Sequence, residues 1–155
     1  MAQQPAGYEL PLLFASAFRL AVDELHRELA TVGFDDVKPS HGFIFQKLSW
    51  GNATGNEIAE HLGITKQAAS VIIDYLEQHG YVTRAPHPSD GRGKQVALTE
   101  RGWQCIRATE AIFTAIERRW VDVLGHDEMD RLRSSMRQIV QAFPDSPSSP
   151  FRPVW

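Results

Sequence analysis

Between residues 54 and 80 the chain spells out the starts and stops of two short helices, and this punctuation limits its fold more than any other feature. Thr54 and Glu57 have the spacing of a capping box. The threonine oxygen accepts the Glu57 amide, and the Glu57 carboxylate reaches back to the start of the helix. The helix so opened carries Ile58, Ala59 and Leu62 and stops at Gly63. Thr65 caps a second helix, with Ala69, Ile72, Ile73 and Leu76 on its inner face. His79-Gly80 closes it, glycine being suited to the left-handed position after a helix. A small residue where two helices cross (Ala59), a glycine in the turn and apolar anchors on the second helix are what helix-turn-helix packing needs.

The flanks extend the pattern. Tyr81–Ala85 and Gln95–Leu98 are β-prone and enclose a turn-rich stretch from Pro86 to Lys94, so they predict a hairpin with a long tip. Thr99 caps the next helix, and Gly102 in its first turn allows a close approach to a neighbour. Upstream, Phe14, Phe18, Ala21, Val22, Leu25 and Leu29 recur at helical spacing from Leu10 until Gly33. A shorter helix follows Pro39 with Phe43, Ile44 and Leu48. Downstream, Ile106, Thr109, Ile112, Phe113, Ile116, Trp120 and Val123 mark a long helix ending near Leu124, and Gly125 breaks it. A last helix runs from about Asp127 to Phe143, with Met129, Leu132, Met136, Ile139, Val140 and Phe143 expected inward. The fold class is therefore mainly α with a small β-hairpin wing: a winged helix-turn-helix plus a region of terminal helices.

Length and composition exclude several classes. The 155 residues suit one domain, or one small domain with an oligomerisation element, and 43% hydrophobic with 23% charged residues describes a folded chain. No apolar run reaches the roughly 18 residues that span a bilayer, and residues 1–7 lack the basic start of a signal peptide. The expectation is a cytoplasmic protein with no membrane partner. The single cysteine, Cys105, excludes an intramolecular disulfide and is expected to be buried and inert. The six histidines show no pairing at i, i+3 or i+4, so no metal site is expected. Walker, HExxH and G-x-S-x-G sequences are absent, so neither an enzyme nor a cofactor is indicated.

The candidate chemistry lies at the exposed start of the second helix. Thr65, Lys66, Gln67 and Ser70 there suit phosphates and base edges; Gln67 can pair with adenine, and Lys66 beside the helix amides suits a phosphate. On the hairpin, Arg92 and Lys94 flank a tip with one acid, Asp90, and could enter a minor groove. Charge pulls the other way. The net charge is −3, and residues 54–102 hold five basic and six acidic side chains. DNA contact must then rest on spatial separation of charge. The alternative is a winged-helix module that acts through protein–protein interaction without specific DNA binding.

Four fragments in order carry a resemblance: Glu57-Ile58-Ala59-Glu60-His61-Leu62-Gly63-Ile64-Thr65-Lys66-Gln67, Leu76-Glu77-Gln78-His79-Gly80-Tyr81-Val82-Thr83-Arg84, Asp90-Gly91-Arg92-Gly93-Lys94 and Leu98-Thr99-Glu100-Arg101-Gly102. Together they resemble the MarR family of winged helix-turn-helix transcription factors, over roughly residues 10–143. The resemblance implies a homodimer: a leader (1–9), a dimerisation helix (10–36), a winged helix-turn-helix DNA-binding domain (37–102), C-terminal dimerisation helices (103–143) and a Pro/Ser-rich tail (144–155). It places Thr65, Lys66, Gln67 and Ser70 on the recognition helix and Arg92 at the wing tip, facing a near-palindromic operator in double-stranded DNA. Gly91 and Gly93 depart from the bulkier or basic residues frequent in the family's wing. The resemblance further implies a repressor released by a small aromatic or phenolic effector, with Phe18, His41, Phe45 and Arg84 as candidate contacts. The alternative for these four is packing, with Arg84 in an internal ion pair.

Overall fold

Six helices and three short strands are present in the computed structural model, which describes residues 7–91 and 93–143. They are α1 (Glu9–Thr31), α2 (Pro39–Ser49), β1 (Ala53–Thr54), α3 (Gly55–Leu62), α4 (Lys66–Gln78), β2 (Val82–Pro86), β3 (Lys94–Leu98), α5 (Glu100–Leu124) and α6 (His126–Ala142). The residues chosen for helix ends do that work. Thr54 accepts the Glu57 amide at 3.2 Å while the Glu57 carboxylate takes the Thr54 amide at 2.7 Å. Thr65 accepts from Ala68 at 3.1 Å and Thr99 from Gly102 at 3.1 Å. Gly63 closes α3 in the left-handed conformation, φ 63°.

The hairpin forms as expected and runs one pair further toward its tip, where Pro86 faces Lys94. A strand that the sequence did not announce completes the sheet. β1 pairs antiparallel with β3, Ala53 opposite Val96, giving the order β1-β3-β2. Thr54 thus ends a strand and caps a helix at once.

The core gathers where α2, α3 and α4 meet this sheet and the start of α5. Ile44, Ile58, Leu76 and Tyr81 are fully buried in it; each such apolar side chain contributes about 1.5–3 kcal/mol by leaving water. Tyr81 is its polar hinge. Its ring lies 5.6 Å from that of Phe45, its hydroxyl donates to Asp36, and the Arg101 guanidinium sits 4.7 Å over its face. Gly102 is what lets α5 start here, because a Cβ on it would lie 2.4 Å from the Tyr81 carbonyl oxygen. Cys105 is buried in the same core, and burial pushes its thiol up to about 11, the state of an unreactive cysteine.

The terminal helices differ from expectation. α1 packs on α5, with Glu24 bound by Arg119, and α6 folds back on α5 through Arg133 and Glu117 at 2.9 Å. On α6, however, only Met129 is buried; Leu132, Ile139, Val140 and Phe143, expected inward, are 40, 48, 68 and 74% exposed. The N-terminal half of α1 behaves alike, with Leu10, Leu12, Leu13 and Phe14 exposed. Periodicity defines an apolar face but not what covers it. Among the described residues no helix is long and apolar enough to cross a membrane.

Candidate nucleic-acid interface and an adjoining cavity

The helix-turn-helix presents its second helix by burying the other side of it. Ala69, Ile73 and Leu76 lock α4 to the core, which leaves Thr65, Lys66, Gln67 and Ser70 together on its exposed N-terminal turns. Thr65 spends its oxygen as the cap acceptor, so its hydroxyl proton remains for an outside acceptor. The helix dipole places partial positive charge at the same end. Val71 extends this face at 65% exposure, one turn after Gln67. Sequence reading passed over it, although a signal existed: Val71 falls outside the inward set and is apolar where the rest of the face is polar.

Three of the acidic side chains on α3 and α4, Glu57, Asp74 and Glu77, are engaged within the chain, which eases the charge conflict. Glu57 folds onto the start of its own helix, and the Thr54 backbone amide and hydroxyl hold its carboxyl below the usual range. Further along α4, Asp74 and Glu77 bracket Arg84 of β2 at 2.6 and 2.5 Å. Burial opposes the charge on Arg84, but the bonds to Asp74 and Glu77 outweigh it and raise its pKa. The exposed N-terminal turn of α4 therefore carries Lys66 with no acid on its own turn.

The wing is shaped by its own backbone. His87 accepts the Ser89 and Asp90 amides at 3.2 Å, and Gly93 donates to the Asp90 carbonyl at 3.1 Å. A Cβ at Gly93 would press on His87 at 3.3 Å, so the departure from bulkier family residues fits this tight return. Lys94 is exposed at the base of the wing. Arg92 lies outside the described residues.

Next to this unit, α1, α2 and α5 enclose a cavity of about 410 Å³, within the size range of small-molecule sites. Of the four candidate contacts, Phe18 and Phe45 line it; His41 and Arg84 do not. His41 is buried instead under Tyr75, 5.1 Å between rings, and accepts the Lys38 amide at 3.0 Å. Burial, with Lys38 and His26 adding repulsion, pushes its pKa down to about 4. Arg84 is held by the ion pairs above. Sequence reading missed Phe43, Phe113, His26 and Glu110, which also line the cavity; helical spacing marked Phe43 and Phe113 as generic core, and nothing local singled out His26 or Glu110. Among the described residues no three His, Cys, Asp or Glu side chains gather as a metal site would require.

Comparison with known proteins agrees with this geometry. The profile of the MarR family matches residues 51–93, the unit from the strand before α3 to the wing tip. The HTH-type transcriptional repressor Rv2887 of Mycobacterium tuberculosis is 35% identical over 63 residues, covering 41% of this chain and 45% of that one. The chain thus spans under half the length of that relative. An uncharacterized HTH-type transcriptional regulator of Mycobacterium bovis, Mb0904, is 29% identical over 140 residues, covering 86% of this chain and 94% of that one. Among solved structures, the transcriptional repressor CouR bound to a 23-mer DNA duplex superposes with a TM-score of 0.68 at 24% identity, over 90% of this chain and 99% of that one. This last likeness establishes a shared fold.

Proposed function

We propose that the chain is a MarR-family protein, as the match of its winged unit supports, and that it is a homodimeric, sequence-specific DNA-binding regulator of transcription, a repressor acting in the cytoplasm by binding and not by catalysis. The observation that carries the reading is the exposed start of α4, where Lys66, Gln67, Ser70 and Val71 stand clear of the core while the neighbouring acids are tied back. Lys66 and the helix amides contact phosphate. Gln67 makes a bidentate pair with adenine, and Val71 meets a thymine methyl group. The hairpin reaches the flanking minor groove with Lys94 and Arg92. CouR, which shares the fold, was solved on a DNA duplex, and the same mode of docking suits this chain.

Two copies pair through the apolar residues left open on α1 and α6, which sets two recognition helices one helical turn apart on a near-palindrome. The cavity lies between the terminal helices and the winged unit. A small aromatic effector seated there, against Phe18 and Phe45, releases the operator by favouring a spacing of the two units that the DNA does not match.

Selection of bound duplexes from a random double-stranded pool, at two salt concentrations, tests the reading. Enrichment of a near-palindrome with half-sites about one turn, roughly 10 base pairs, apart is expected. Retention that disappears with salt and enriches no sequence would overturn it, leaving nonspecific phosphate contact and turning attention to a protein partner.

A further inference from the structure

The cavity between α1, α2 and α5 is electrically one-sided. Phe18, Phe43, Phe45 and Phe113 supply aromatic wall, and Glu110 of α5 supplies a carboxylate; among the described residues no Lys or Arg lines it. Glu110 is exposed, which puts it at the mouth. It makes no ion pair among the described residues, whereas nearby acids are already bound, Glu24 by Arg119 and Asp36 by Arg101. His26 on the same wall adds no cation near neutral pH. Burial lowers its pKa, and this outweighs the opposing pull of its hydrogen bond with Val37 and of Asp23.

Such a wall treats ligand charge unequally. An aromatic carboxylate or phenolate, the class implied by the family resemblance, would lose water on entering and meet an acid in place of a cation. A cation gains twice, from the carboxylate and from the ring faces, whose quadrupoles attract positive charge. We propose that the cavity selects an aromatic molecule bearing one positive charge, its ring among the phenylalanines and its cation at Glu110. This rests on the reading of the cavity as the effector site and fixes the chemical class of its ligand.

The test is calorimetric titration of the full chain with three probes of one shape: 2-naphthylmethylammonium, 2-naphthylmethanol and 2-naphthoate, each also against Glu110→Gln. The expected order is cation, then alcohol, then carboxylate, with the cation about tenfold tighter than the alcohol. Glu110→Gln, an exposed change that leaves the core intact, brings the cation to within about threefold of the alcohol. Equal or tighter binding of the naphthoate, no binding by any probe, or an unchanged order in the variant overturns the proposal. DNA binding is measured on the same samples. A cation that binds with the expected preference yet leaves affinity for the duplex unchanged upholds the charge selection and refutes effector-driven release.

Discussion

α4 and α6 are amphipathic helices of similar length, yet they solve the same problem in opposite ways. α4 covers Ala69, Ile73 and Leu76 completely with its own chain and turns a polar face outward. α6 leaves Leu132, Ile139, Val140 and Phe143 open. The winged unit is therefore complete within one protomer, while the terminal helices leave an apolar face open, the face that the proposed dimer would cover. The division matches the proposed labour: a rigid reader in the middle, and a pairing region that sets the distance between two readers.

The largest effects should come from breaking the self-sufficient half. Gly102→Ala forces a methyl group against the Tyr81 carbonyl and the Leu98 side chain, and about 3 kcal/mol of stability should be lost. Leu76→Ala, which opens a cavity under the recognition helix, should cost a similar amount, about 2–4 kcal/mol. Urea midpoints measure both, and each loss should be independent of protein concentration. A Gly102→Ala protein as stable as the parent would mean that α5 can shift off Tyr81 without penalty.

Ile139→Glu with Val140→Glu attacks the other half. These side chains are exposed in the protomer, so the winged unit should stay folded by circular dichroism, while sedimentation should show the dimer dissociating at least tenfold more readily. If the pair left the mass in solution unchanged, α6 would not be the pairing surface. Smaller effects are expected on the reading face. Gln67→Ala should weaken binding to the selected duplex by about 1–3 kcal/mol and relax its preference at one base pair. Val71→Ala should cost under about 1 kcal/mol, felt only where a thymine is present. A binding titration against matched and substituted duplexes separates the two.

The gentlest probe is pH. His41 is buried neutral, with its pKa pushed down to about 4 from an ordinary 6.5. Between those values the unfolded chain binds the proton that the folded chain refuses. Stability is fully present above pH 6.5 and should fall as pH drops toward 4. A thermal-melting series should show that slope, flattened in His41→Gln, with a remainder from His26, whose pKa is also lowered. An identical slope in the variant would assign the effect elsewhere.

Much of the winged unit is legible in the sequence because its signals are local. Thr54 and Glu57, Gly63, Thr65, Thr99 and Gly102 each act within a few residues or through one steric demand, and each does in the structure what its type predicts. The third strand was not legible, since two residues carry no periodicity and their pairing with Val96 spans the whole unit. Nor was the open face of α6, because an apolar stripe looks the same whether covered by its own chain or by another. The cavity was half legible. Phe18 and Phe45 stand out as aromatics on the right helices, but Glu110 gains its meaning only from where α5 passes α1 and α2. Arg84 shows the same limit: its partners Asp74 and Glu77 lie on a different element, brought close by the turn at Gly80.

In the proposed dimer two winged units, held at one distance by their terminal helices, read two half-sites. The most direct test is to insert about five base pairs, half a helical turn, between the half-sites of the selected duplex and measure affinity and stoichiometry together. Two chains should bind the natural spacing, and the insertion should abolish specific binding by turning one half-site to the opposite face of the DNA. Unchanged affinity on the lengthened duplex would contradict the account, because it would mean that each chain reads DNA alone.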